Sequence, residues 1–551
     1  MQKTTPPPLA IDPSLLVDLL HQVPLLRIDA ESTDLAIVIA FSGGTSGGLF
    51  QEALDKASIA PSTWDPRAYA DDLFLARFVS TCLQADIRGK KPVMMTGHLC
   101  KLVGSPPADA RSVLLRREIL SELDDSQSVR GMFEGLYLAL TRLRSLLEGT
   151  GSTGTWDSNR RQLDILELFK DMVEKMGAFS SARSELRRLS VFSERVQATE
   201  SYRALVDLLR YDERLATVSF KMGVGADGRV RRLDLQSVEE STDNQFVGSP
   251  VRRWMARLEL FARGFKFGEG EVMARLLDAV FEGVRAEFSA LVQLLGDLEF
   301  YLGALGFIGR SRAAGLEVCF PTMVDPSEEL RLFGLFNPLL LGHAMSPVPC
   351  DIGLDRIRTT TLITGPNSGG KTRLLQSLAI TQLLAQSGLV VPARQAQLAP
   401  VPTLVVSLIQ ESEADQTEGR LGMELMRIRA LFERLPPGAM VILDELCSGT
   451  NPSEGEEIFE LVIRMLEKLS PQAFITTHFL GFAGRLAEKK NIPNLRFLQV
   501  ALGPSHEPTY QFASGVATTS LASHAAARLG VTGEKLLELI EKNLKASQAT
   551  S

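Results

Sequence analysis

Eight consecutive residues have the types and order that hold the phosphates of a nucleotide. They follow a run of β-branched and apolar residues at 360–364, and an amphipathic segment follows them to about Ser387. Glycines let successive backbone N–H groups turn toward phosphate oxygens, and a helix N-terminus adds positive charge. In such a loop the lysine pairs with the β- and γ-phosphates and the threonine hydroxyl ligates Mg²⁺. The sequence therefore predicts a site for ATP and Mg²⁺ rather than a purely structural glycine turn, formed by Gly365, Pro366, Asn367, Ser368, Gly369, Gly370, Lys371 and Thr372.

Polar residues follow two further apolar runs. Asp444 and Glu445 come after the run 440–443, and His478 comes after 473–477. Ligands bind at the carboxyl ends of strands in a parallel sheet, so we expect the two acids beside the glycine-rich loop. Asp444 would then hold Mg²⁺, Glu445 would deprotonate the attacking water, and His478 would sense the γ-phosphate. The alternative for each is a solvated side chain at the end of a strand.

The elements that position these residues are predicted from hydrophobic periodicity. Apolar stripes at helical spacing indicate long helices over 108–122, 129–147, 161–176, 180–209, 250–265 and 271–305. Alternation on both sides of a turn at 226–228 indicates a β-hairpin over 217–238. From about Gly315, short apolar runs alternate with helical segments, with strands near 360–364, 403–409, 440–443, 473–477 and 495–500. That order is typical of a parallel sheet covered by helices on both faces.

Composition and charge exclude several classes of protein. The chain has 551 residues, of which 45% are hydrophobic and 23% charged, so it has room for roughly three or four folded domains. The net charge of −7 means that any contact with nucleic acid depends on a local basic patch. Five scattered cysteines favour a reducing compartment without a zinc site. The N-terminus has no apolar signal core and no membrane segment is expected, so the predicted location is the cytoplasm.

The predicted fold is a multi-domain chain in which a long α-helical bundle with a small inserted β-hairpin precedes an α/β P-loop ATPase domain. We expect a disordered tail at 1–12 and a mixed, mainly helical core region at 13–107. A helical lever follows at 108–314, with the hairpin at 217–238 inserted in it. The ATPase domain with C-terminal helices occupies 315–545, and a second tail occupies 546–551.

Several of these segments resemble one family. Residues 365–372, 444–450 and 476–478 are similar to the ABC-like ATPase domain of the MutS proteins, which bind mismatched or branched DNA as ATP-controlled dimers. The runs 336–340, 348–352, 388–393 and 510–530 also resemble that domain, and the helical region with its hairpin resembles the family's core, lever and clamp. The resemblance implies a short MutS-like paralogue that acts as a homodimer, with a MutL-like partner possible.

The sequence also departs from the family. A Phe-x-Glu triplet occurs three times, at 50–52, 192–194 and 267–269, so it does not identify a mismatch-reading wedge. We expect neither an N-terminal mismatch-recognition domain nor a nuclease-like Smr domain. Where the family has a Ser-Thr-Phe run that reaches the partner's γ-phosphate, this chain has Gly419 and Arg420. The hypothesis is that Arg420 acts across the dimer, and turnover of an Arg420→Ala variant at several protein concentrations would test it; the alternative is a surface arginine.

The candidate DNA contacts are basic residues of the lever and hairpin. On a helix over 250–265 and just beyond it, three basic residues fall on one face; the hairpin adds three more, and the alternative is a solvated face. The candidates are Arg252, Arg263, Lys266, Arg229, Arg231 and Arg232. The predicted function is ATP-dependent binding of mismatched or branched double-stranded DNA with hydrolysis of ATP to ADP and phosphate, in mismatch repair or related DNA maintenance and near the nucleoid. The alternative is a nucleotide-gated protein-interaction scaffold, and a transporter-type ATPase is disfavoured because a Leu-Ser-Gly-Gly-Gln run is absent.

Overall fold

The computed structural model describes residues 16–43, 47–149, 158–213, 217–224, 230–239, 269–342, 346–408, 420–447, 451–504, 507–518 and 531–540. Both predicted tails and the predicted helix over 250–265 lie outside these residues. The internal contacts divide the chain into two compact units. Unit 1 comprises Met1–Ser58 and Glu118–Tyr301, and unit 2 comprises Ile59–Arg117 and Leu302–Ser551. Each unit is therefore built from two separate stretches of sequence, and the linear domain boundaries stay a prediction.

The helices before the glycine-rich loop follow the predicted periodicity except in one region. They are α1 (Ala30–Phe41), α2 (Leu49–Lys56), α3 (Leu75–Cys82), α4 (Thr96–Gly104), α5 (Ala110–Asp125), α6 (Gln127–Glu148), α7 (Ser158–Gly177), α8 (Arg187–Ala198), α9 (Glu200–Glu213) and α10 (Glu269–Ala313). The helices after it are α11 (Lys371–Gln386), α12 (Arg420–Arg434), α13 (Pro452–Leu469) and α14 (Leu480–Lys489).

The single helix predicted over 180–209 is wrong. A 3₁₀ turn at Ala178–Ser181 is followed by α8 and α9. The Glu122 carboxylate accepts the backbone N–H groups of Arg183 and Ser184, at 2.7 and 2.8 Å. The Thr199 hydroxyl accepts the N–H of Tyr202 at 3.1 Å. These side chains thus satisfy backbone N–H groups at the two places where the chain turns, before α8 and before α9.

The core of unit 1 forms around the first part of α10. Phe281 of α10 stacks on Phe41 with ring centroids 3.9 Å apart, and Phe288 stacks on Phe169 at 4.5 Å. By length and composition, Leu276–Ala313 is the one helical stretch of the described residues that could cross a membrane. The most apolar part of this stretch is entirely buried within the protein, as expected for the central helix of a folded core.

A buried charge network holds the segment before α1 against α10. The Arg27 guanidinium pairs with the carboxylate of Asp297 and lies 3.8 Å from that of Asp18. Asp297 also accepts the N–H of Leu19 at 2.9 Å, and Asp18 contacts the His21 ring at 2.8 Å. Burial raises the pKa of Asp297 to about 6. Burial also opposes ionisation of Asp18, but Arg27 and the bond to His21 lower its pKa to about 2. The Arg27 guanidinium therefore balances the charge of two buried carboxylates, those of Asp297 and Asp18.

The predicted hairpin is confirmed in its strands. β1 (Thr217–Val224) pairs antiparallel with β2 (Val230–Glu239), with Thr217 opposite Glu239. The turn at 226–228 lies outside the described residues. Irregular register steps follow Ser219 and Gly223, which is how a hairpin accommodates extra residues in one strand.

Unit 2 contains two sheets, of which the sequence predicted one. The strands are β3 (Thr322–Met323), β4 (Leu330–Leu335), β5 (Cys350–Leu354), β6 (Thr360–Thr364), β7 (Gln395–Leu398), β8 (Leu404–Ser407), β9 (Met440–Leu443), β10 (Gln472–Thr476), β11 (Leu495–Leu502) and β12 (Pro508–Ser514). The larger sheet has the order β12-β11-β6-β10-β9-β8. All its neighbours are parallel except β12, which runs antiparallel to β11. The predicted parallel sheet is thereby confirmed, with an antiparallel edge strand that was not expected.

The second sheet has the order β3-β7-β4-β5 and is mainly antiparallel. Its strands are short and several of their residues are exposed, so they lack the continuous apolar runs that made the parallel strands recognisable. The larger sheet is covered on both faces, because every residue of β6, β9 and β10 is buried. Phe459 and Ile463 of α13 and Phe482 of α14 pack on one of these faces, while α11 contacts β8, β9 and β10.

Candidate functional site

The glycine-rich loop joins the central strand β6 to α11. It contains a 3₁₀ turn at Asn367–Gly369 and two glycines with positive φ, 133° at Gly365 and 83° at Gly370. A Cβ atom at Gly365 would lie 2.7 Å from Cγ2 of Val500 on the neighbouring β11. Only glycine fits such a close approach in a left-handed conformation. The loop is therefore shaped by its glycines and by the strand beside it.

Lys371 folds back over this loop. Its side chain is 3% exposed, and its ammonium donates to the carbonyl oxygens of Gly365 at 2.9 Å and Pro366 at 3.1 Å. Burial lowers the pKa of Lys371, against the attraction of Glu445 and Asp444, which raises it. The lysine is thus a buried cation at the loop with two acids near enough to favour its charge.

The predicted acids lie at the same edge of the sheet as the loop. The Thr372 hydroxyl donates to Oδ2 of Asp444 at 2.5 Å, and the Thr476 hydroxyl contacts Oδ1 of the same carboxylate. Glu445 follows with a positive φ of 49°, and its N–H donates to the Thr476 hydroxyl at 2.8 Å. Strand β10 lies between β6 and β9, so the ends of three neighbouring strands bring Thr372, Asp444, Glu445 and Thr476 together.

The donor set fits Mg²⁺. A threonine hydroxyl and a carboxylate converge within 2.5 Å, and both are the hard oxygen ligands that this ion prefers. The described residues contain no group of three or more His, Cys, Asp or Glu side chains able to hold a metal. Mg²⁺ bound here would therefore take its other ligands from phosphate and water, which is its usual arrangement in nucleotide sites.

His478 lies just beyond the carboxyl end of β10, as the sequence predicted, and its side chain is exposed. Its ring lies 4.2 Å from that of Phe479, at an angle of 45°. The N–H of Phe479 donates to the Thr477 hydroxyl at 3.0 Å, which fixes the turn that presents the histidine. The sensor role of His478 stays a prediction.

The remaining predicted contacts fall largely outside the described residues. Gly419 lies outside them. Arg420 is the first residue of α12, and only the backbone of Arg420 is described. Arg231 and Arg232 lie on β2, again with only the backbone described, while the other DNA candidates lie outside: Arg229, Arg252, Arg263 and Lys266.

A cavity beside the loop was missed by sequence reasoning. It has a volume of about 550 Å³ and is bordered by Gly370, Arg373, Val348, Tyr510 and Phe512, among others. A Cβ atom at Gly370 would lie 3.2 Å from the Tyr510 ring, so this tyrosine packs directly against the loop. The runs 336–340, 348–352 and 510–530 gave a signal for this cavity, because they resemble family segments and contribute residues to its wall.

Comparison with known proteins finds similarity over the part of the chain that contains the site. The model described as MutS domain V matches residues 361–546, a segment that contains Lys371, both acids and His478. Endonuclease MutS2 of Streptococcus mutans is 29% identical over 270 residues, which are 48% of this chain and 33% of that protein. Endonuclease MutS2 of Thermus thermophilus is 32% identical over 211 residues, or 38% and 27% of the two chains. Endonuclease MutS2 of Gemmatimonas aurantiaca is 28% identical over 291 residues, or 52% and 34%.

The matched regions span about a third of the length of these relatives. They and the matched domain agree with the resemblance seen in the sequence motifs, and the α/β architecture of unit 2 agrees with an ATPase-type domain. Over the region that contains the site, the chain is therefore similar to MutS-family proteins, among them these MutS2 endonucleases.

Proposed function

We propose that this protein binds ATP with Mg²⁺ and hydrolyses it to ADP and phosphate, as the nucleotide-driven part of a MutS-type DNA-binding protein. The observation that carries the proposal is the contact between Thr372, which follows the glycine-rich loop, and Asp444, which follows a different strand. Two distant segments of sequence thereby supply a loop, a cation and two acids to one edge of the sheet. Nucleotides bind at this edge in α/β proteins.

The triphosphate would lie along the loop. Backbone N–H groups of residues 365–370 and the N-terminus of α11 would bind its oxygens. Lys371 now donates to two loop carbonyls and would exchange them for the β- and γ-phosphates. The base and ribose would enter the cavity bordered by Val348, Tyr510 and Phe512, which has the volume of a small-ligand site.

Hydrolysis would depend on the two acids. Thr372 and Asp444 would hold Mg²⁺, which when bound neutralises charge that develops on the phosphate oxygens. Glu445 would accept a proton from the attacking water, for which a carboxylate at this position is suited. His478 would contact the γ-phosphate. Arg420, at the start of α12, stays the candidate for a contact across a dimer.

The DNA-binding part of the proposal rests on the family. We infer that mismatched or branched double-stranded DNA is the partner, that the active form is a homodimer, and that it works near the nucleoid with a possible MutL-like protein. The relatives are named as endonucleases; our proposal for this chain is limited to ATP hydrolysis and DNA binding.

Two variants test the ATP site. Lys371→Ala removes the cation and should abolish nucleotide binding. Glu445→Gln should keep binding and lower turnover by about 10²-fold or more, because a general base is removed. Fluorescent-nucleotide titration and phosphate release measure the two effects. Lys489→Ala, at the exposed end of α14, is the matched control and should behave as wild type. Normal turnover in Glu445→Gln would show that another group is the base.

A further inference from the structure

One threonine hydroxyl contacts both acids of the site. Thr476 is the last residue of β10, the strand between β6 and β9, and its side chain is fully buried. Its hydroxyl lies against Oδ1 of Asp444 and 2.8 Å from the backbone nitrogen of Glu445. The sequence motifs gave this residue no role of its own.

The direction of these hydrogen bonds is fixed by chemistry. An ionised carboxylate only accepts, so the single hydroxyl proton of Thr476 goes to Asp444. A lone pair on the same oxygen then accepts the N–H of Glu445. Because Thr372 donates to the other carboxylate oxygen, Asp444 is held between two hydroxyls, one from the start of α11 and one from the end of β10. Rotation of its carboxylate would break at least one of these bonds.

The second bond acts on the backbone of Glu445. This residue has φ of 49°. That left-handed conformation is unfavourable for residues other than glycine and persists only where surrounding contacts enforce it. The bond from its N–H to Thr476 is such a contact. It determines the direction in which the chain leaves β9, and so where the Glu445 carboxylate can reach.

We propose that Thr476 is a positioning residue for ATP hydrolysis, whose hydroxyl orients Asp444 and fixes the peptide that presents Glu445; this rests on the ATPase function proposed above. A buried threonine in a strand also has a purely structural use, since its branched side chain suits the sheet. The two roles are separable, because valine keeps the shape and loses the hydroxyl, whereas serine keeps the hydroxyl and loses a methyl group.

The test compares Thr476→Val and Thr476→Ser with wild type. Thr360→Val is the matched control: Thr360 is buried on the neighbouring β6, and its hydroxyl has no hydrogen-bond partner among the described residues. Three quantities are measured: kcat at saturating ATP and Mg²⁺, affinity for a fluorescent nucleotide in EDTA, and the Mg²⁺ concentration that half-saturates binding of a non-hydrolysable ATP analogue. The last two do not depend on turnover.

In Thr476→Val we expect kcat to fall by roughly 10- to 100-fold, because a small displacement of a base or metal ligand costs this much. The half-saturating Mg²⁺ concentration should rise, while nucleotide affinity in EDTA stays near wild type because Lys371 and the loop are intact. Thr476→Ser should recover most of kcat and of the Mg²⁺ response, and Thr360→Val should match wild type.

Several outcomes would overturn the inference. Wild-type kcat and Mg²⁺ response in Thr476→Val would show that the hydroxyl positions nothing. Equal reductions in Thr476→Ser and Thr476→Val would assign the effect to shape, and a reduction in Thr360→Val would assign it to the sheet. If Thr476→Val does not fold, Thr476→Ala replaces it with the same expectations. Absence of ATP hydrolysis in wild type would instead refute the ATPase proposal itself, and this inference with it.

Discussion

At the scale of single residues, the site depends on backbone conformations that most residues avoid. Gly365 and Gly370 have positive φ, and so do Glu445 and Cys447 beside the acids. Cys447 is fully buried. Non-glycine residues with positive φ are enriched at functional sites, and two of those in the described residues, Glu445 and Cys447, come directly after β9.

A substitution at Gly370 tests this view of the loop. Gly370 has φ of 83°, and an added Cβ would lie 3.2 Å from the Tyr510 ring at the wall of the cavity. Gly370→Ala should weaken nucleotide binding by roughly tenfold, since a left-handed alanine costs about 1–2 kcal/mol and a tenfold change is about 1.4 kcal/mol. Fluorescent-nucleotide titration measures the change.

Gly484→Ala is the control for that substitution. Gly484 lies inside α14, where a Cβ would meet nothing within 4 Å and φ is not positive. Alanine there should leave affinity unchanged and slightly stabilise the helix. Equal affinity in Gly370→Ala and wild type would show that the loop adopts its binding conformation without needing glycine at 370.

At the scale of elements, the strands of the larger sheet carry the site and a charged network secures the helical unit. The ends of β6, β9 and β10 meet because the strands are parallel neighbours with one direction. In unit 1, Arg27 joins the segment before α1 to α10 by pairing with Asp297 and Asp18. All three side chains are almost fully buried, so removing one partner should cost far more than breaking an ion pair at the surface.

Removing the shared cation should destabilise unit 1. Arg27→Met leaves two carboxylates buried without a counter-charge, which typically costs about 3–5 kcal/mol. We expect a clear fall in the thermal midpoint of the helical unit at pH 7, measured by scanning calorimetry. The control is Lys56→Met, because Lys56 pairs with Glu52 at the surface, where both side chains are mostly exposed, and such pairs contribute about 0–1 kcal/mol. Similar midpoints for the two variants would mean that the network contributes little.

At the scale of the whole molecule, two units divide the predicted functions. The ATP site and its cavity lie in unit 2, and the hairpin of β1 and β2 lies in unit 1. The chain carries a net charge of −7, so DNA binding would depend on local basic residues, for which the hairpin supplies three candidates. Their contacts would be with phosphate and therefore independent of base sequence.

The hairpin prediction is tested with the triple variant Arg229→Ala, Arg231→Ala and Arg232→Ala. We expect weaker binding to homoduplex, mismatched and four-way-junction DNA alike, and a plot of log affinity against log salt that is shallower by about one unit for each phosphate that the variant no longer binds. Filter binding at several salt concentrations measures both. Arg67→Ala, which removes an exposed arginine paired with Asp65, is the control. If wild type binds none of these DNAs and none changes its ATPase rate, the interaction-scaffold alternative is favoured.

Features formed by adjacent residues could be predicted from the residue pattern alone. The loop 365–372 could be recognised because eight adjacent residues carry its chemistry. Strands β6 and β9 were predicted with their observed bounds because they are short runs of β-branched and apolar residues. The hairpin strands and most long helices were predicted for the same reason: their hydrophobic period is local.

Features that depend on contacts between distant residues emerge only in the folded chain. The break between the 3₁₀ turn at Ala178–Ser181 and α8 involves Glu122, which reaches Arg183 and Ser184 from another helix, so periodicity within 180–209 could not reveal it. The second sheet has short, partly exposed strands, and the cavity assembles its wall from residues as far apart as Phe74 and Phe512. The role we assign to Thr476 has the same origin. Its hydroxyl reaches Asp444 and Glu445 only because β10 lies between β6 and β9. Strand order is set by packing of the whole unit rather than by any local pattern.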